Sequence, residues 1–206
     1  TWLFVDIMNG VLKSHNMDTI TVQKYREIFE FPVENYYKKL GFDLNKESFQ
    51  KSGLEFIEIY KKRRYEAELH TGAKYILSKL LSRNINHSIL SAQHQTLLDD
   101  LITYYDIRDF FTEINGLDDY YANSKINKGV QWMKKMGLNS KEVLLIGDTN
   151  HDFETAQVLE VDCLLLSHGH NSHSRLIQIG APVVRKLENI FHIFGINLDS
   201  AEKICN

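Results

Sequence analysis

The apolar positions of this chain change period along its length. Residues 2–5 are four apolar side chains in a row closed by Asp6, a pattern that predicts a short buried strand. From residue 17 to 69 the spacing is helical and amphipathic. Tyr25, Ile28 and Phe29, then Tyr36, Tyr37 and Leu40, recur at helical intervals. Gly41 interrupts this pattern, and Phe49, Leu54, Phe56, Ile57 and Tyr60 resume it. Past Gly72, short apolar runs alternate with helical stretches. Strands are predicted over residues 87–90, 111–114, 143–146, 162–166 and 182–184, and helices over 73–83, 94–104 and 125–136, with a further one ending at Leu159. Such alternation predicts an α/β fold, a parallel Rossmann-like sheet with helices on both faces. The all-helical segment then reads as an insert. Residues 1–16 and 71–206 are expected to form the core domain, and 17–70 a helical cap.

The strand predicted at 143–146 ends in Gly147 and then presents Asp148 and Asp152, four residues apart. Open α/β sheets bind ligands beyond the carboxyl ends of their strands. Two acids on that turn suit a hard divalent cation. The alternative is local: Asp148 caps the next helix and Asp152 favours its positive end.

Composition narrows the classes without choosing among them. A chain of 206 residues with 43% hydrophobic positions can bury a core as one domain with an insert. A formal charge of −3 argues against a general nucleic-acid binder. No apolar run has the length to span a bilayer, and no signal-peptide pattern opens the chain. Cys163 and Cys205 suggest neither a disulfide framework nor a zinc knuckle, which predicts a reducing, cytoplasmic setting. The basic cluster at residues 61–64 reads as a solvated helix face. His168, His170 and His173 lack a cysteine partner and read as a loop at a site rim rather than a zinc centre.

Polar residues therefore stand at four element ends: Asp6 to Asn9, Ser91, Lys125 after Asn123 and Ser124, and Asp148 with Asp152. In this order they resemble the motifs of the haloacid dehalogenase-like hydrolases over nearly the whole chain. The phosphoglycolate phosphatase-like branch is nearest, through Gly147, Asp148, Thr149, His151 and Asp152, followed by Gly169 and His170. The resemblance implies an Mg²⁺-dependent phosphatase acting on a small phosphorylated metabolite through an aspartyl-phosphate. Asp6 would be nucleophile and metal ligand, and Asn9 would lend the metal a backbone carbonyl. Ser91, Ala92 and Lys125 would hold phosphate, and Asp148 and Asp152 the metal. Covalent catalysis splits one hard displacement into two easier ones, and the cation neutralises phosphate charge. No nucleic acid or membrane partner is implied, and the protein would be a monomer or homodimer.

The opening motif departs from the family pattern. Counted back from Gly10, Ile7 falls at the nucleophile position and Asn9 replaces the acid/base Asp; counted forward from the strand, Asp6 is the nucleophile in a bulged loop. An amide cannot shuttle a proton, which typically costs about two to four decades in rate for alcohol leaving groups. This leaves a second reading, a degenerate relative that binds phosphate or Mg²⁺ without turnover. A third, dehalogenation through an Asp ester, would not need Mg²⁺.

Overall fold

In the computed structural model, residues 1–46, 48–119 and 125–195 are described. The first element corrects the expected opening strand. Residues Trp2–Ser14 form a helix, α1, because the apolar run belongs to a longer stripe at helical spacing. Leu3, Ile7 and Val11, with Met8 and Leu12 beside them, are buried on one side of it. Asp6 falls on the opposite side, with its side chain 58% exposed and paired with Arg63 at 2.6 Å. A carboxylate on the solvent face needs no buried partner, and Asp6 has none.

Three further helices follow: α2 (Val22–Ile28), α3 (Val33–Leu40) and α4 (Phe49–Arg63). Gly41 ends α3 at φ 99°, a left-handed cap that favours glycine. Asn9 clamps α1 to the approach to α2. Its amide donates to the Ile20 carbonyl at 2.9 Å and accepts from the Ile20 N–H at 2.8 Å. Val5, Met8, Val11 and Leu12 of α1 share one core with Tyr25, Phe29, Tyr36, Tyr37 and Phe42. Residues 2–14 therefore pack on the helical unit, while Leu3 and Ile7 also share a cluster with Leu97 of the α/β part.

The remainder alternates as the sequence predicts. After α5 (Ala73–Leu81) come β1 (Ser88–His94), α6 (Gln95–Tyr104), β2 (Glu113–Leu117) and α7 (Lys125–Met136). Then β3 (Leu144–Gly147), α8 (Asn150–Leu159), β4 (Asp162–Leu166), α9 (His173–Gln178), β5 (Val183–Val184) and α10 (Ile190–Ile193) complete the described residues. The fold class is α/β with parallel strand pairing throughout the described strands. β1 extends past Ser91 to His94, and β2 lies a few residues later than its predicted 111–114. Asn123 and Ser124 lie outside the described residues.

The described strands fall into two hydrogen-bonded sets, β1-β2 and β3-β4-β5. β1 pairs with β2 on one edge and β3 with β4 on one edge, so each keeps a second edge without a ladder partner among the described strands. β1 is half-exposed along all seven residues, and Ile146 of β3 is 40% exposed. Central strands of parallel sheets are ordinarily buried on both faces. Helices bridge the two sets instead. Gly129 of α7 lies against both Leu90 of β1 and Leu159 of α8, and a Cβ there would stand 3.0 and 3.1 Å from their methyl groups.

Two substitutions separate the roles of α1. Asn9→Ala strips both polar groups of Ile20 of their partner and is expected to cost about 1–3 kcal/mol in urea unfolding. Asp6→Ala removes an exposed ion pair and is expected to cost less than about 1 kcal/mol.

Candidate functional site

A cavity of about 360 Å³ opens where the carboxyl ends of β1 and β3 meet the helical unit. Its core side is lined by Ser91, Ala92, Lys125, Asp148, Asp152 and His170. Ser91, Ala92 and Lys125, expected to hold phosphate, are therefore brought together with Asp148 and Asp152, two of the four residues expected to hold a cation. Asp6 and Asn9 are not among the lining residues. The nucleophile and carbonyl roles suggested for them are corrected, because a helix where a strand was expected carries Asp6 into solvent and ties Asn9 to Ile20.

The turn after β3 is built around Asp152. One carboxylate oxygen, Oδ2, accepts from the N–H groups of Asp148 and Thr149, each at 2.9 Å, and from Thr149 Oγ1 at 2.7 Å. Thr149 in turn caps α8, its hydroxyl accepting from the Asp152 N–H at 3.2 Å. This reciprocal pair is a capping box with Asp in the third helical position. Gly147 makes room for it, since a Cβ there would lie 2.3 Å from that of Asp152. The other oxygen, Oδ1, accepts from the Lys125 ammonium. Burial alone would raise the pKa of Asp152. Lys125 and the hydrogen bonds from Thr149 and the Asp148 N–H outweigh it and hold the carboxyl below its ordinary range. Both carboxylate oxygens of Asp152 are thus engaged, one by Lys125 and the other by the capping turn.

Asp148 is arranged differently. It is half-buried and lines the cavity, and its Oδ2 accepts from the His170 N–H at 2.5 Å. Gly169 permits this approach, because a Cβ there would fall 1.8 Å from Asp148 Oδ2. Mg²⁺ commonly takes only one or two carboxylates and keeps several waters, so Asp148 suits one such position. No group of three or more His, Cys, Asp or Glu able to hold a metal occurs among the described residues. Across the cavity, the β1–β2 ladder is interrupted between Leu90 and His94, which frees the backbone around Ser91 and Ala92. Ser91 Oγ accepts from the Gln93 N–H at 3.1 Å, and the Gln93 amide donates to Tyr60 at 3.0 Å.

Sequence reasoning missed the residues that fasten this turn to the helices. Asn171 is 1% exposed. Its side chain accepts from the Asn150 N–H at 3.0 Å and donates to the Phe29 carbonyl at 2.9 Å. His170, partly buried, bonds Tyr25 through Nδ1 at 2.6 Å. Burial lowers the His170 pKa and raises that of Tyr25, so both stay neutral at ordinary pH. Arg26 donates to the carbonyls of Gly169 and His168 at 3.0 and 3.1 Å. Of the three histidines of this stretch, His170 lines the cavity, while His173 begins α9. The asparagine of the same stretch gave no comparable signal.

Asp152→Ala would leave Lys125 buried without its anion, and unfolding experiments are expected to show a loss of about 3–5 kcal/mol. Because the folded pKa of Asp152 lies below its unfolded value of about 3.9, the pair's contribution is complete above that pH. It disappears as the pH falls through the depressed folded value. Unfolding curves between pH 7 and pH 2 should therefore show a loss in the wild type that Asp152→Asn lacks.

The haloacid dehalogenase-like hydrolase model matches residues 1–166. The phosphoglycolate phosphatase of Yersinia pseudotuberculosis is 26% identical over 106 residues, 51% of this chain and 46% of that protein. That of Photorhabdus laumondii is 27% identical over 116 residues, 53% of this chain and 50% of that protein. The chain thus spans about half the length of these curated relatives. Solved structures share the fold at lower identity. A haloacid dehalogenase-like family hydrolase from Streptococcus pneumoniae superposes with a TM-score of 0.80 at 18% identity, covering 93% of this chain and 90% of that one. Protein Tyrosine Kinase A of Mycobacterium tuberculosis gives 0.77 at 14%, covering 94% and 90%. With that family model matching residues 1–166 of the 206, the chain belongs to the haloacid dehalogenase-like hydrolases.

Proposed function

We propose that the chain carries the phosphate- and cation-holding part of a Mg²⁺-dependent phosphatase for a small phosphorylated metabolite, working in the cytoplasm. The observation that supports this most is the convergence of Ser91, Ala92, Lys125 and Asp148 on one cavity from three separate elements. Ser91 and the freed backbone at Ala92 would donate to phosphate oxygens. The Lys125 ammonium, held in place by Asp152, would face the same anion. Asp148 would hold Mg²⁺, which when bound neutralises phosphate charge. Such positioning and electrostatics account for most of what a protein contributes to phosphoryl transfer. The helical unit, α1 through α4, would act as the cap that keeps water out.

The attacking group is the open part of this reading. Among the described residues lining the cavity, the carboxylates are Asp148 and Asp152, and Asp152 is committed to Lys125. A nucleophilic carboxylate would have to enter between the unpaired edges of β1 and β3, where it would stand between Ser91 and Asp148. This observation also favours a second reading, a protein that binds phosphate or Mg²⁺ without turning the ester over.

Phosphate release from a panel of phosphomonoesters and acyl phosphates, with and without Mg²⁺, is the deciding measurement. Release that requires Mg²⁺, falls by about two decades or more in Asp148→Asn, and is unchanged in Asp6→Ala supports the phosphatase. Thermal stabilisation by Mg²⁺ and inorganic phosphate without any release supports the binder. Neither stabilisation nor release would overturn both readings.

A further inference from the structure

The wall of the cavity opposite Lys125 and Asp148 has a different chemistry. Among the described lining residues, those from the first 63 positions include no charged side chain. Phe4, Phe31, Phe56 and Tyr60 supply rings, and Leu54 and Ile57 supply aliphatic surface. Three of these rings form a packed cluster: Phe4 lies 5.4 Å from Phe56 and 5.3 Å from Tyr60, centroid to centroid, in tilted arrangements. The polar handle of Tyr60 is taken by Gln93. The arginines of α2 and α4 are likewise turned elsewhere, Arg26 to the carbonyls of residues 168 and 169 and Arg63 to Asp6 and Glu66.

A metabolite such as phosphoglycolate carries a carboxylate two bonds from its phosphate ester oxygen. Within this cavity that carboxylate would meet rings and methyl groups rather than a cation, and an unpaired charge is expensive to desolvate. An uncharged ring or alkyl chain would gain burial against the same wall. The cavity lies at the lower end of the size range that holds small-molecule ligands.

From these observations we propose that the site takes phosphate monoesters whose alcohol portion is uncharged and apolar, aromatic above all, and discriminates against esters bearing a carboxylate. This rests on the phosphate-binding reading of Ser91, Lys125 and Asp148. The cap wall sets selectivity, and the core side sets the grip on phosphate.

Two phosphonates with the same head group test the wall without requiring turnover. Calorimetric titration of the full chain with Mg²⁺ present should show phenylphosphonate binding at least about tenfold tighter than phosphonoacetate. Leu54→Arg, on the exposed side of α4, places a cation in the wall and should narrow or reverse that ratio. Phe56→Ala should weaken phenylphosphonate severalfold more than it weakens inorganic phosphate. Equal or tighter binding of phosphonoacetate by the wild type, or binding of neither phosphonate, overturns the proposal. Hydrolysis is scored separately with phenyl phosphate and phosphoglycolate. Failure of both esters to release phosphate while the ring preference stands would sink the phosphatase reading and not the selectivity. Turnover favouring phosphoglycolate would sink the selectivity and not the phosphatase.

Discussion

The buried pair between Lys125 and Asp152 is the contact on which the arrangement depends. Lys125 begins α7, which packs on β1 and β2, and Asp152 lies in the first turn of α8, which follows β3. With no ladder between β1 and β3, this pair and the packing beside it carry the registration of one strand set on the other. Two side chains exposed by 9% and 7% cannot rely on water, and mutual attraction seldom repays the loss. The Asp152 carboxylate is therefore supplied with three further donors from the capping turn. The same hydrogen bonds that stop the helix from fraying hold the anion that holds the lysine. Stability and the placement of a cation beside the cavity are one construction.

A second junction ties the helical unit to that construction. Asn171 and His170 touch the β3–α8 turn on one side and Phe29 and Tyr25 on the other. A small displacement of α2 would thus be felt at the Asp148 carboxylate through the two hydrogen bonds of His170.

Much of this was legible in the residues. Alternating periods after Gly72 marked the strands and helices correctly. Gly147, Asp148 and Asp152 marked the turn after β3, but their spacing alone left a cation site and a helix cap both open, and Asp152 does take part in the cap. The failure at the amino end has a clear physical cause. Four apolar residues in a row satisfy the strand pattern and the helical one equally, and Leu3, Ile7 and Val11 decide it only when the window is widened. The roles of Asp152 and Asn171 could not be read at all. Whether a carboxylate faces a cation or a lysine depends on where Lys125, 27 residues earlier, comes to rest, and the value of Asn171 lies wholly in partners distant along the chain.

Gly129 gives the missing ladder its consequence. Neighbouring strands in a continuous sheet are locked at one spacing by their hydrogen bonds. Between β1 and β3, which share no ladder, a bare backbone on α7 settles instead against Leu90 and Leu159. In the proposed phosphate site, van der Waals contact at a residue outside the cavity lining would then bear on the spacing of the groups that hold the anion. A single methyl group there would act as a shim, altering that spacing without changing any lining residue.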